Sequence, residues 1–408
     1  MSTHPLIFLA ALSLAACTED KTDTDTDTAD TGSDPETDAD FAARGEQAVG
    51  FTVLEEDGVT VKAWYPTASD AAEEIVYEAE LKLFGPGGKP APFLGAAISD
   101  APPDTAQGPH PLVVLSHGFG MNPEWYHPLA EHLASHGFVV FGPEHVEYDW
   151  FTDVVPATAV RPLEVSSAID LAASGALGGA ADASSVAVIG HSCGGTTALM
   201  AGGARIHTGW MYEQCAANTD PFIQSYFCDT FIGAEADLAD AMGIGAVPGG
   251  LWPSLADDRV DAIVAMAPDA VLFGEVGLAE LAVPAMLVGG TGDTASPWSW
   301  GGQLAHDHIS SETRALVAFE GAEHFIVTTT CDNMPWTAAL PEEYASIFCD
   351  DPAWDKHEAI GITNEVTAAF LSLTLRGDDA GRQALAPANF DAVDGLEVRL
   401  SEAGTRQQ

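Results

Sequence analysis

From residue 111 onward the chain alternates short runs that are apolar at nearly every position with longer stretches whose apolar residues recur at helical spacing. The apolar runs are residues 112–116, 138–141, 186–190, 261–266, 285–290 and 315–319, and the helical patterns cover 124–135, 162–174, 193–203, 298–310 and 356–375. A strand that is apolar on both faces has to be covered on both faces, and helices alternating with such strands are how a parallel sheet is covered. The expected fold class is therefore α/β, with a mostly parallel central sheet and helices on both of its faces. Upstream, 49–53 and 59–65 flank the turn signal Glu55-Glu56-Asp57-Gly58 and predict a hairpin. Residues 74–83 are a further candidate strand, and together these predict an antiparallel start to the sheet.

One interval, about 204–259, breaks the rhythm. It carries Cys215, Cys228, Trp210, Tyr212, Phe222, Tyr226 and Phe227 between the helix at 193–203 and the next strand, and it reads as an inserted lid. The start of the chain is also distinct. Residues 6–16 form an apolar run too short to span a bilayer and suited to the core of a signal peptide. Leu14-Ala15-Ala16-Cys17 has the form of a lipoprotein cleavage site, with Cys17 as the lipid-bearing residue; plain secretion is the other reading, and both mean export. Residues 18–40 alternate Asp and Thr with almost nothing apolar, which predicts a self-repelling extended tether rather than a packed element. The expected organisation is a signal peptide at 1–17, a linker at 18–40, and one large domain at 41–408 that includes the lid.

Composition narrows the partners. The 408 residues hold 14 Lys plus Arg against 61 Asp plus Glu, a formal net charge of −47. Nucleic-acid binding is excluded as an expectation, because phosphate contacts need a basic patch. The acidity reads as a solvated surface, with steering of a cationic substrate as the sharper alternative. Of the six cysteines, Cys215 and Cys228, and Cys331 and Cys349, are close in sequence. In an oxidising compartment they predict two local disulfides, with Cys193 left unpaired.

The chemistry concentrates at Gly190-His191-Ser192-Cys193-Gly194-Gly195, where the run 186–189 ends and a helix begins. A G-x-S-x-G string at such a corner is a nucleophile elbow: the serine takes a strained backbone position, and its neighbours two residues away must be small. A serine hydroxyl needs a base, and the base needs a carboxylate, expected in the chain order Ser, acid, His. Asp293, in the loop after 285–290, and His324, in the loop after 315–319, meet that order. Asp269 is the rival acid. His306 and His308 are rival bases, but a spacing of two points them to different helix faces, which also argues against a metal pair; no H-E-x-x-H occurs. Two donors must receive the charge that develops on a carbonyl oxygen. The expected pair is the Cys193 amide at the helix start and the Phe119 amide in His117-Gly118-Phe119-Gly120. The Cys193 thiol itself reads as a small apolar filler.

These residues resemble the α/β-hydrolases related to platelet-activating-factor acetylhydrolase and the dienelactone-hydrolase-like esterases. The resemblance rests on VKAWYP, on PLVVLSHGFG followed by LASHGFVV, on VAVIGHSCGG, and on the Asp293 and His324 loops, and spans about 50–375. It implies an α/β-hydrolase fold and hydrolysis of carboxylic esters with no cofactor; no metal site is expected from the residues. In it Ser192 is the nucleophile, His324 the base, Asp293 its orienting acid, and the Phe119 and Cys193 amides the oxyanion hole. Dienelactone hydrolases proper use a cysteine nucleophile, whereas serine holds the elbow here. The expected substrates are short-chain acyl esters, small-molecule or lipid, including phospholipid acetyl esters. The alternatives are an exported polyester or cutin hydrolase and a non-catalytic binding protein. The membrane is expected as a partner only through Cys17.

Overall fold

The computed structural model describes residues 40–56, 58–82 and 88–402. The expected signal peptide, Cys17 and nearly all of the linker lie outside them. Among the described residues, ten strands form one sheet: β1 Ala48–Glu56, β2 Val59–Thr67, β3 Ile98–Ser99, β4 His110–Ser116, β5 Val139–Pro143, β6 Ala181–His191, β7 Val260–Met266, β8 Ala285–Gly290, β9 Arg314–Phe319 and β10 Leu396–Ser401. Their spatial order is β10-β9-β8-β7-β6-β4-β5-β2-β1-β3. Strands β4 to β9 are mutually parallel, while β2 on β5, β1 on β2 and β10 on β9 are antiparallel.

Alternation along the strands explains the layers. In β6, Val186 and Val188 face one core shared with helices α2 (Trp150–Ala173) and α3 (Cys193–Ala201), while Ala187 and Ile189 face another shared with α1 (His127–Ser135) and α7 (Lys356–Arg376). All four strand residues are fully buried. Period-two side chains that are apolar on both faces thus bury both faces at once. The chain passes from β4 outward to β5 and returns to β6 on the other side of β4. That reversal opens a crevice at the carboxyl ends of β4 and β6, the place where ligands bind in such sheets.

Several elements depart from the sequence expectation. Of the strand expected at 74–83, the described residues 74–82 do not join the sheet: Ile75–Tyr77 pairs with Phe93–Gly95 and Glu80–Leu81 with Lys89–Pro90 as two small ribbons. Tyr77 is drawn inward instead, accepting from Trp64 Nε1 at 2.9 Å and donating to Glu131 at 2.6 Å. The helix expected at 162–174 starts twelve residues earlier, running through Pro156 and Pro162. Its true start is signalled by Asp149, whose carboxylate caps the Phe151 amide at 3.0 Å, and its buried face outweighs the lost proline hydrogen bonds. The helix expected at 298–310 shrinks to α6, Gly302–His308. A turn at Pro297 and a non-helical Gly301 precede it. Strand β10, beyond the expected pattern, closes the far edge.

The segment 204–259 holds α4 (Thr208–Ala217), a continuous helical stretch over residues 221–231 whose centre, Gln224–Cys228, is π-helical, and α5 (Glu235–Ala241). Cys215 is bonded to Cys228 and Cys331 to Cys349, the pairing expected, and Cys193 is unpaired. Two disulfides point to an oxidising compartment. No helix among the described residues is long and apolar enough to cross a membrane.

Candidate active site

Ser192 sits where β6 turns into α3, with φ 56° and ψ −123°. A non-glycine residue there is strained, and the neighbours show why the turn is this sharp. A Cβ on Gly190 would collide with the Gly194 carbonyl, and one on Gly194 would collide with the carbonyl of Ser116 at the end of β4. The elbow therefore packs backbone against backbone. Its amide is fixed as well, with Ser192 N–H donating to Met266 O at 2.9 Å. Just past Met266, Ala267 also holds a positive φ, 44°, so two strained residues lie at the strand ends that floor the crevice.

Asp293 and His324 come together. His324 Nδ1 lies 2.7 Å from Asp293 Oδ2, and both residues are buried. The other carboxylate oxygen accepts the amides of Ala295 and Ser296, each at 2.8 Å, so the acid is locked before it meets the ring. Burial lowers the His324 pKa, but the Asp293 charge and its hydrogen bond outweigh that and leave it raised. Ser192 and His324 line one cavity of about 370 Å³. Its walls are rich in rings: Phe119, Trp150 and Phe325 from the body, and Phe222, Tyr226 and Phe227 from the 204–259 segment. Trp150 and Tyr226 stack at 4.0 Å, and Trp150 Nε1 donates to Tyr226 O at 2.6 Å.

The rivals separate. Asp269 lines the same cavity but the acid bonded to the imidazole is Asp293; burial pushes the Asp269 carboxyl up to about 6 despite a hydrogen bond from Ser296. His306 is buried beside Asp307, and His308 lies near Glu275, so neither is at the cavity. Phe119 and Cys193 are both partly buried against the core shared by α2 and α3. Burial pushes the Cys193 thiol well up, which keeps it protonated and unreactive. Among the described residues, no group of three or more His, Cys, Asp or Glu is arranged to hold a metal ion.

Sequence reasoning missed His191, the residue before the serine. Its Nε2 meets His324 O at 2.9 Å and its Nδ1 meets Tyr126 Oη at 2.8 Å. The carbonyl must accept, so Nε2 carries the proton and Nδ1 accepts from the tyrosine. Burial holds this ring far below the ordinary histidine pKa, which keeps it neutral and the tie intact. His191 thus links the His324 loop, through Tyr126, to the Phe119 loop. The only signal in the sequence was its place beside the elbow.

A family model described as Chlorophyllase matches residues 97–207. That span, about a quarter of the chain, takes in the Phe119 loop and the Ser192 elbow, and the family lies within the α/β-hydrolases. The fold is an α/β-hydrolase fold. The match supports, in general terms, a hydrolase acting on esters. No curated protein matches the chain.

Because the elbow leaves no room for a methyl group, Gly194→Ala is expected to destabilise the protein by about 4 kcal/mol or more. Thermal melting checks this, and an unchanged melting temperature would contradict the close backbone packing.

Proposed function

We propose that the protein is a serine carboxylic-ester hydrolase for short-chain acyl esters, with Ser192 as nucleophile, His324 as general base and Asp293 as its orienting acid. The 2.7 Å bond from His324 to Asp293, beside a cavity that also holds the strained Ser192, carries this reading. With Nδ1–H donated to Asp293, Nε2 is the basic nitrogen. Ser192 Oγ attacks the ester carbonyl carbon as His324 takes its proton. The amides of Phe119 and Cys193 receive the oxyanion. Collapse of the tetrahedral species expels the alcohol, which leaves with the proton from His324. Water, deprotonated by His324, then attacks the acyl-serine, and the C–Oγ bond breaks as His324 returns that proton to Ser192 Oγ and the acid is released.

The cavity supports a substrate class. Its 370 Å³ lies near the small end of ligand sites, about 300–1,000 Å³, and its walls carry rings and no Lys or Arg. That favours short, uncharged acyl groups, including the acetyl group of a platelet-activating-factor-like phospholipid. The ring-bearing segment from 204–259 narrows the approach as a lid would, which disfavours the polyester or cutin alternative. Export fits the disulfides, and Cys17 with the acidic tether would place the domain at a membrane surface as a lipoprotein.

On p-nitrophenyl esters of graded length, acetyl and butyrate are expected to be hydrolysed in preference to octanoate and longer chains. Ser192→Ala is expected to lower turnover by about four to six orders of magnitude; equal turnover by the variant would end the reading.

The pH profile has a definite sign. Only neutral His324 accepts a proton, so its raised pKa means that activity falls with acidification from a point above the ordinary value of about 6.5. Asp293→Asn is expected to move that pKa down and to reduce kcat by about 10,000-fold. A profile that does not shift would contradict the pairing.

A further inference from the structure

We propose that Arg161 is a positioning residue for the oxyanion hole, an inference that rests on the esterase reading of Ser192. Arg161 stands on the buried face of α2 and is about 1 % exposed. Its Nε and Nη2 grip both carboxylate oxygens of Glu147, Nη2 at 2.6 Å, and its Nη1 donates to the carbonyl oxygen of His117 at 2.5 Å. The other end of that same peptide is held too, since Gly118 N–H donates to Tyr126 Oη at 3.1 Å. A peptide unit is planar, so a clamp on its C=O and another on its N–H fix the plane.

The next peptide supplies the Phe119 amide. His117 Nε2 accepts the His145 backbone N–H at 3.0 Å, so the ring proton is on Nδ1, which donates to Gly118 O at 2.7 Å. In a trans peptide the N–H points opposite to the C=O. Holding Gly118 O on one side therefore aims Phe119 N–H to the other. Arg161 secures the His117 backbone from which this ring reaches.

A buried guanidinium–carboxylate pair is a costly way to fill a helix face, and apolar side chains would pack there as well or better. What they lack is a planar fork that serves a carboxylate and a carbonyl together. Beneath the loop, Ser116 Oγ lies 2.8 Å from His145 Nε2, and Glu164 holds His145 Nδ1 at 2.5 Å. Ser116 is fully buried, so this second Ser–His–carboxylate set meets no substrate; it fixes the backbone that feeds His117.

Two variants test the proposal: Arg161→Met combined with Glu147→Met, which leaves no unpaired buried charge, and Arg161→Lys, which keeps a cation for Glu147 but cannot serve both partners. Each is assayed with p-nitrophenyl butyrate as kcat per titrated active site, with the affinity for a trifluoromethyl ketone transition-state analogue and the melting temperature alongside. Loss of one oxyanion donor costs about 100- to 1,000-fold in kcat, and mis-aiming it is expected to cost about 30- to 100-fold. KM should stay within about threefold, and ketone affinity should fall in step with kcat/KM. A merely structural role would lower the melting temperature and the titrated fraction while leaving kcat per site and ketone affinity within about threefold of wild type, and that result overturns the proposal. Failure of both variants to fold would also count against it. A wild-type protein with no ester turnover would remove the esterase reading itself, whereas an active wild type with unmoved variants removes only this inference.

Discussion

Ser192 is held at φ 56° because β6 is wedged between the ends of β4 and β7 and must turn into α3 within one residue. The wedge is made of backbone: the Gly194 residue rests on the Ser116 carbonyl, and the Ser192 amide donates to Met266. The conformation is unfavourable in isolation and persists because the parallel sheet over-determines it. The consequences spread from there. The same close approach that forces the serine out of the sheet brings the first residues after β4, His117 to Gly120, alongside the start of α3.

Around that wedge the supporting groups are arranged by bonds between distant loops. Asp293 is held by two amides of its own loop before it holds His324. His191 ties the His324 carbonyl to Tyr126, and Tyr126 in turn receives the Gly118 amide. The His324 loop, the elbow and the glycine loop are therefore one hydrogen-bonded unit. On the solvent side, the segment closed by Cys215–Cys228 lays Tyr226 and Phe222 over Trp150. A disulfide that shortens the accessible ensemble of that segment keeps those rings over the cavity.

The central strands were legible because each is apolar on both faces, and the loops bearing Ser192, Asp293 and His324 could be placed by counting strands. What escaped the sequence has physical reasons. Pro156 and Pro162 disguised the first half of α2, whose stability comes from the face it buries rather than from propensity. Residues 74–83 look like sheet because they are apolar in places, yet Tyr77 finds its partners in Trp64 and Glu131 instead. Arg161 and His191 were invisible as site residues because their partners lie far along the chain: 44 residues separate Arg161 from His117, 65 separate His191 from Tyr126, and 133 separate His191 from His324. Local pattern reports propensity and face; it carries no record of which distant carbonyl a buried donor will meet.

The esterase reading requires His324 to activate the hydroxyl of Ser192, and intact-mass and peptide mapping after exposure to a fluorophosphonate checks this. A single adduct is expected on the peptide containing Ser192, formed by the wild-type protein and lost in His324→Ala. An unlabelled wild-type protein, or a label that settles on another residue, would contradict it.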